Sequence, residues 1–235
     1  MRSIQRGPEP QSLAAARREV SRIERETGRP HGDPWSELKD KAPVVDALRE
    51  AQRGLCAYCC DRLVPGRIRV EHFVPRSKAP EMALTWDNLL AVCDGGDVPG
   101  GRARGEFTCD RHRTPYSPGP PERGLLHVSP ARPPPDPGEV FHVELSSRRL
   151  GEMTASTPDA AADLTELNLN AARLTRARRD VIEVLRRQLH QAGERDTRVL
   201  LRHQQVLHTT AGDLPAFAHV LEAYVGAKLR RRGFS

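Results

Sequence analysis

The chain has 235 residues and a formal charge of +6, with 37% hydrophobic, 4% aromatic and 29% charged residues. That length supports one large domain or two modest ones, and the lean but globular composition leaves only local room for disorder. The positive charge favours an acidic partner, most commonly nucleic acid, while the lack of an apolar segment after Met1-Arg2-Ser3, or of any run near ~20 apolar residues, predicts a cytoplasmic protein without a membrane partner.

Residues 1–10, with Gly7-Pro8-Glu9-Pro10, read as a loose start. Residues 11–27 read as a helix, with Leu13, Val20 and Ile23 on one side and Arg17, Arg18, Arg22 and Arg25 elsewhere. Gly28-Arg29-Pro30 ends it. A short helix is expected at Asp33-Pro34-Trp35, with Asp33 as its cap and Pro34 at its first position. Pro43 breaks or restarts the chain there. The next helix runs through Val44, Val45 and Leu48 to Gln52, and Gly54 stops it just before Cys56.

Beyond Cys56 the pattern changes. Leu63-Val64, Pro65-Gly66 and residues 68–73 read as a short hairpin, and residues 86–93 as a helix. His72 then lies near a strand end and Asn88 near a helix start. Gly95, Gly96, Gly100, Gly101 and Gly105 mark an irregular segment that is flexible or binds something. Residues 115–138 form a proline-rich, semi-rigid connector, followed by a strand pair over 140–145 and 149–153. Thr157-Pro158-Asp159 opens a helical remainder. Its apolar set of Leu164, Leu167, Leu174, Val181, Val184, Leu185 and Leu189 continues for several turns. Residues 199–207 and 214–229 give two further helices, and no internal repeat is visible. The expected fold class is α+β, mostly α, in four segments: an N-terminal helical segment 1–53, a core 54–114, the connector and strand pair 115–156, and a C-terminal helical region 157–235.

The cysteines carry the strongest chemical signal. Cys56 and Cys59 have two residues between them, and Cys93 and Cys109 have fifteen. Two thiolate pairs supply the four soft ligands of a tetrahedral structural zinc. A redox-active CxxC usually sits in a βαβ setting, which is not seen here. In a reducing compartment a disulfide framework is disfavoured, and it would strand the fifth cysteine, Cys60. A zinc so held would supply roughly 10 kcal/mol of folding free energy.

One of nine histidines stands out by context. Glu71 precedes His72, Pro75 follows it, and Asn88 lies ahead. Glu71-His72, Asn88-Leu89 with Cys93, and Cys109-Asp110 together resemble the HNH nuclease family over residues 54–114. The resemblance implies a zinc-stapled ββα-metal core, a hairpin and a helix, with N-terminal helices before it and the helical region after it. It also implies a metal-dependent DNA endonuclease. His72 would be the general base, Glu71 a ligand of a catalytic magnesium or manganese ion, and Asn88 would orient the imidazole or assist at the metal. The family's acid is most often aspartate, where this chain has Glu71. Its last metal ligand is commonly histidine or asparagine directly after the final cysteine, where this chain has Asp110, and His112 competes for that role. The chemistry is consistent with the resemblance: a neutral imidazole can accept a proton from water near its ordinary pKa of about 6.5, and a hard cation held by carboxylates neutralises phosphate charge.

A narrower likeness extends along the chain. Leu55-Cys56-Ala57-Tyr58-Cys59, Val70-Glu71-His72-Phe73, Trp86-Asp87-Asn88-Leu89-Leu90, and Leu167-Asn168-Leu169-Asn170 followed by Leu174 and Arg178-Arg179 are similar to the HNH proteins of Septu-type and retron-associated anti-phage systems. That likeness implies an anti-phage defence role beside an ABC-type ATPase. Around the motif, Arg67, Arg69, Arg76, Lys78, Arg102, Arg104, Arg111 and Arg113 are candidates to neutralise DNA phosphates. Arg173, Arg176, Arg178, Arg179, Arg186 and Arg187 read by default as a solvated helix face. Three alternatives stand beside the defence nuclease: a zinc-stapled binding module that does not cut, an inert adaptor, and a stand-alone restriction or mobile-element nuclease.

Overall fold

Leu13, Ala16 and Val20 recur at helical spacing and form the buried face of α1 (Gln11–Thr27), whose bounds match the expected helix. This is seen in a computed structural model, which describes residues 1–97, 106–113, 125–132, 135–193, 197–209 and 211–234. The glycine-rich segment before Cys109 and the proline-rich connector lie largely outside those residues. The chain is α+β and mostly α, with two small antiparallel sheets among the described residues.

The first ten residues are not loose. The Ile4 N–H donates to the Pro130 carbonyl at 2.8 Å, and Trp86 Nε1 donates to the Gly7 carbonyl at 3.2 Å. Arg6 reaches the Leu89 carbonyl and lies 4.8 Å over the Trp86 ring. At Asp33 the expected helix is one 3-10 turn, Pro34–Glu37, with Pro34 in its first turn and no cap from the Asp33 side chain. α2 (Ala42–Ala51) carries Pro43 in its first turn, where a missing N–H costs nothing. Gly54, at φ +73°, turns the chain out toward Cys56.

Two expectations in the core are corrected. Residues 86–93 form a 3-10 turn, Trp86–Asn88, followed by a strand, β2 (Leu89–Val92), and not a helix. All four residues of that strand are buried, so the run has no amphipathic period to separate helix from strand. The partner of β1 (Arg69–His72) is β2, in register Arg69↔Val92 to His72↔Leu89, and not residues 63–64. Val64 is exposed, and a Leu55↔Arg62 bridge closes the cysteine turn instead. The order after that turn is β1, β2, then the short helix α3 (Cys109–Arg113).

α4 (Pro137–Val140) leads into β3 (Phe141–Val143), which pairs with β4 (Met153–Ala155) close to the expected strand pair. Thr157 caps α5 (Pro158–Glu166) by accepting from the Ala160 N–H. The helix then breaks, with Asn168 at φ +47°, before α6 (Ala172–Ala192). Leu174, Arg178, Ile182, Leu185 and Leu189 form the buried stripe of α6. α7 (Arg198–His208) and α8 (Ala218–Arg230) complete the chain. A single buried cluster draws Leu13, Leu89, Phe141 and Leu185 together with the cysteines, so it includes residues of all four segments. No helix among the described residues is long and apolar enough to cross a membrane.

Candidate metal centre and adjoining cleft

The four cysteines converge from three places in the chain. Cys56 and Cys59 lie on the turn after α2, Cys93 directly follows β2, and Cys109 opens α3. All four sulfurs lie within 4.8 Å of one another. Cys56 to Cys109 is 3.9 Å, and Cys59 to Cys93 and Cys93 to Cys109 are each 3.8 Å. Zn–S bonds of about 2.3 Å in a tetrahedron set sulfurs about 3.8 Å apart, so the cluster fits a metal ion such as zinc. All five cysteines are free thiols, and Cys60 stands outside the cluster.

Local hydrogen bonds explain this convergence. The Gln52 side chain donates to the Leu55 and Ala91 carbonyls and accepts from the Ala91 N–H at 2.7 Å. The Ala57 N–H also donates to Ala91. The turn bearing Cys56 and Cys59 is thereby sewn to the outer edge of β2. The Cys109 N–H donates to Leu167 at 2.9 Å, and Asn168 donates to the Phe107 carbonyl at 2.8 Å. The Leu167-Asn168 turn therefore positions Cys109. Gly95 brings the segment after Cys93 against α3, because a Cβ there would lie 2.2 Å from the Thr108 carbonyl oxygen. Hydrogen bonding among the four thiols draws Cys93 well below its usual range and pushes Cys59 and Cys109 well above theirs.

Arg178 is fully buried and not part of a solvated face. It donates to the Gly151 and Leu169 carbonyls at 2.6 and 2.7 Å. Burial lowers its pKa to about 10, against the opposing pull of Cys59, Cys60 and Cys109. A tetrathiolate around a divalent ion would carry net negative charge, and the buried Arg178 guanidinium lies within electrostatic reach of Cys59 and Cys109.

Beside this centre lies a cleft of about 530 Å³, lined by Glu71, His72 and Asp110 with residues of the 32–34 and 75–83 segments. His72 Nε2 is 2.9 Å from the Ala83 carbonyl, and its ring meets Trp35 edge-on at 4.7 Å. A carbonyl only accepts, so Nε2 carries the proton and the lone pair of the neutral ring sits on Nδ1. Glu71 Oε1 receives Arg113 Nη1 at 2.6 Å and faces the buried Tyr58 hydroxyl at 3.5 Å. Burial and the Glu71 charge push the Tyr58 phenol well above its ordinary value, which keeps it a donor.

The sequence-derived residues do not all converge. Asp110 lines the cleft with Glu71 and His72, whereas His112 is exposed and bonded through Nδ1 to the Glu166 carbonyl at 2.8 Å. The Asn88 side chain accepts from the Val74 N–H at 2.8 Å and donates to the Val74 and Met82 carbonyls. These contacts clamp the 74–82 loop, which carries the cleft wall. Among the phosphate candidates Arg113 is buried, with its side chain 0% exposed against Glu71, so it is withdrawn from that set. Arg67 pairs with Asp94, Arg69 and Arg111 with Asp97 at 2.9 Å each, and Arg76 with Asp33 at 3.1 Å. Lys78 is exposed, and Arg102 and Arg104 lie outside the described residues. Sequence reasoning missed Trp35 and Tyr58 as neighbours of His72 and Glu71. The Tyr58 position inside Cys56-Ala57-Tyr58-Cys59 was the one available signal. Compared with known protein families and with curated proteins, the sequence matches none of them.

Proposed function

We propose that the chain is a metal-dependent HNH-type endonuclease that hydrolyses DNA phosphodiester bonds, with a structural zinc on Cys56, Cys59, Cys93 and Cys109. The observation that carries this reading is the meeting of Glu71, His72 and Asp110 in one cleft at the end of β1 and the start of α3. The strand-strand-helix order around the cysteine cluster is consistent with a ββα core. His72 Nδ1 takes the proton from an attacking water, with Nε2–H held on Ala83 so that the ring does not rotate. Glu71 and Asp110 present carboxylate oxygens suited to magnesium or manganese, which would neutralise charge developing on the phosphate. Arg76 and Lys78, beside the cleft, supply positive charge for the DNA backbone. The likeness of the Leu167-Asn168-Leu169-Asn170 and Arg178-Arg179 stretch to defence-system nucleases supports a role in an anti-phage complex with an ABC-type ATPase.

One observation favours a second reading. Arg113 already neutralises Glu71 at 2.6 Å, which suits a zinc-stapled module that binds nucleic acid without cutting. Plasmid cleavage with magnesium or manganese by Asp110→Ala and His112→Ala variants separates the two. Loss in Asp110→Ala with retention in His112→Ala supports the hydrolytic cleft, and the reverse pattern overturns the ligand assignment. A wild-type protein that leaves DNA intact, alone and with the ATPase, favours the binding module.

A further inference from the structure

A second cavity, of about 820 Å³, is lined by none of the residues that line the cleft. It lies between the first residues of the chain, the end of α2, Cys60, β3 and helices α7 and α8. His219, in the first turn of α8, reaches this cavity while only 8% exposed, and neither of its ring nitrogens has a hydrogen-bond partner among the described residues. A neutral imidazole carries one donor and one acceptor, and buried polar groups are rarely left unmatched. Burial, reinforced by nearby positive charge that includes Arg178 and Arg2, holds this ring well below its ordinary pKa and hence neutral.

The surrounding charge is unevenly spent. Glu222 is taken by Arg2, and Asp136 by the Ser3 hydroxyl and the Gly138 N–H. Arg230 has no acidic partner among the described residues. Phe141, Leu145 and Leu214 give the cavity apolar walls. A bare ion has no use for such walls, and the volume falls in the roughly 300–1,000 Å³ range of small-molecule sites.

We propose that this cavity binds a nucleotide, with His219 meeting the donor-acceptor edge of the base and Arg230 meeting the phosphates. The Phe217 N–H donates to the Cys60 carbonyl at 2.7 Å, so a ligand held by α8 bears directly on the turn that carries Cys56 and Cys59. The site is independent of whether the cleft cuts DNA.

Calorimetric titration of the full, metal-loaded chain with ATP and with GTP tests this, with adenosine and inorganic phosphate titrated separately. The expected result is one equivalent of nucleotide bound more tightly than about 1 mM. His219→Phe and the surface change Arg230→Glu each weaken binding about tenfold or more, and His72→Ala leaves it intact. Arg230→Glu keeps the test sound if His219→Phe fails to fold. Absence of binding by either nucleotide overturns the proposal, as does equal binding by wild type and Arg230→Glu. Phosphate or adenosine alone binding as tightly as ATP, or loss of binding in His72→Ala, overturns it too.

Discussion

Arg113 Nη1 meets Glu71 Oε1 at 2.6 Å with the two side chains 0% and 4% exposed. The pair spans α3 and β1, so the carboxylate proposed to hold a catalytic metal is also an element of the core. Removing one partner of a buried pair typically costs about 3–5 kcal/mol, because the other charge is left without compensation. Arg113→Met is expected to lose about 3 kcal/mol in urea unfolding, and magnesium is expected to stabilise the variant more than wild type. No stabilisation of either protein by magnesium would show that Glu71 takes no metal.

Asn88 holds the 74–82 loop through three side-chain hydrogen bonds and is 1% exposed. Asn88→Ala leaves the Val74 N–H and the Val74 and Met82 carbonyls short of a partner. The expected destabilisation is about 2 kcal/mol, with the bound metal of the cysteine cluster retained. Urea unfolding with metal analysis checks both parts, and loss of that metal would show that Asn88 acts on the cysteine centre instead.

The cysteine centre makes a separate prediction through Gly95. A methyl at that position meets the Thr108 carbonyl oxygen at 2.2 Å and Arg111 Cβ at 2.5 Å, which forces the Cys93 and Cys109 segments apart. Gly95→Ala is expected to release its metal to a chelator at least about tenfold faster than wild type. Cys93→Ser is expected to lose the metal and unfold, consistent with roughly 10 kcal/mol of binding free energy. Metal quantified alongside circular dichroism distinguishes the two variants.

Acid should act through His219. In the folded chain burial keeps this ring neutral, with its pKa well below 6.5, whereas unfolding exposes it and restores the ordinary 6.5. Below that pH the unfolded state binds the extra proton, so stability falls as the pH drops through about 6.5 and does not depend on this group above it. Between about pH 7.5 and about pH 5.5, the decline in unfolding free energy is expected to be smaller in His219→Phe than in wild type. An unchanged slope would place the acid sensitivity elsewhere.

How much of this was legible in the sequence depended on period and separation. α1 was readable to its bounds because Leu13, Val20 and Ile23 share one side and Gly28-Arg29-Pro30 ends the run. The run Leu89-Leu90-Ala91-Val92 was misread because every residue is buried and no alternation survives. The hairpin was misassigned because Pro65-Gly66 offers a local turn, while the true partner of His72 is Leu89, across the loop clamped by Asn88. The cysteines were legible as two thiol pairs able to hold a metal, whereas Glu71, His72 and Asp110 were singled out by resemblance to a known motif, with His112 left as the alternative to Asp110. Arg113 was misplaced because nothing local distinguishes a solvated arginine from one that reaches back 42 residues to a buried carboxylate. Arg178 was hidden in the same way, as one arginine among several on α6.

The cleft mouth supplies one further expectation. Asp33 and Arg76 pair at 3.1 Å with side chains 56% and 45% exposed, and such exposed pairs are worth at most about 1 kcal/mol. On the proposed reading, a DNA phosphate would compete readily for Arg76. Asp33→Asn is expected to tighten DNA binding a few-fold at low salt, with the gain shrinking as salt rises. Fluorescence anisotropy across a salt series checks this, and an unchanged affinity would remove Arg76 from the DNA-contacting set.

The most direct test of the proposed hydrolytic cleft is supercoiled-plasmid cleavage with magnesium or manganese by wild type and His72→Ala, with zinc quantified in both preparations. The hydrolytic reading predicts cleavage by wild type and its loss in His72→Ala at unchanged zinc content. Equal cleavage by the two proteins would contradict it.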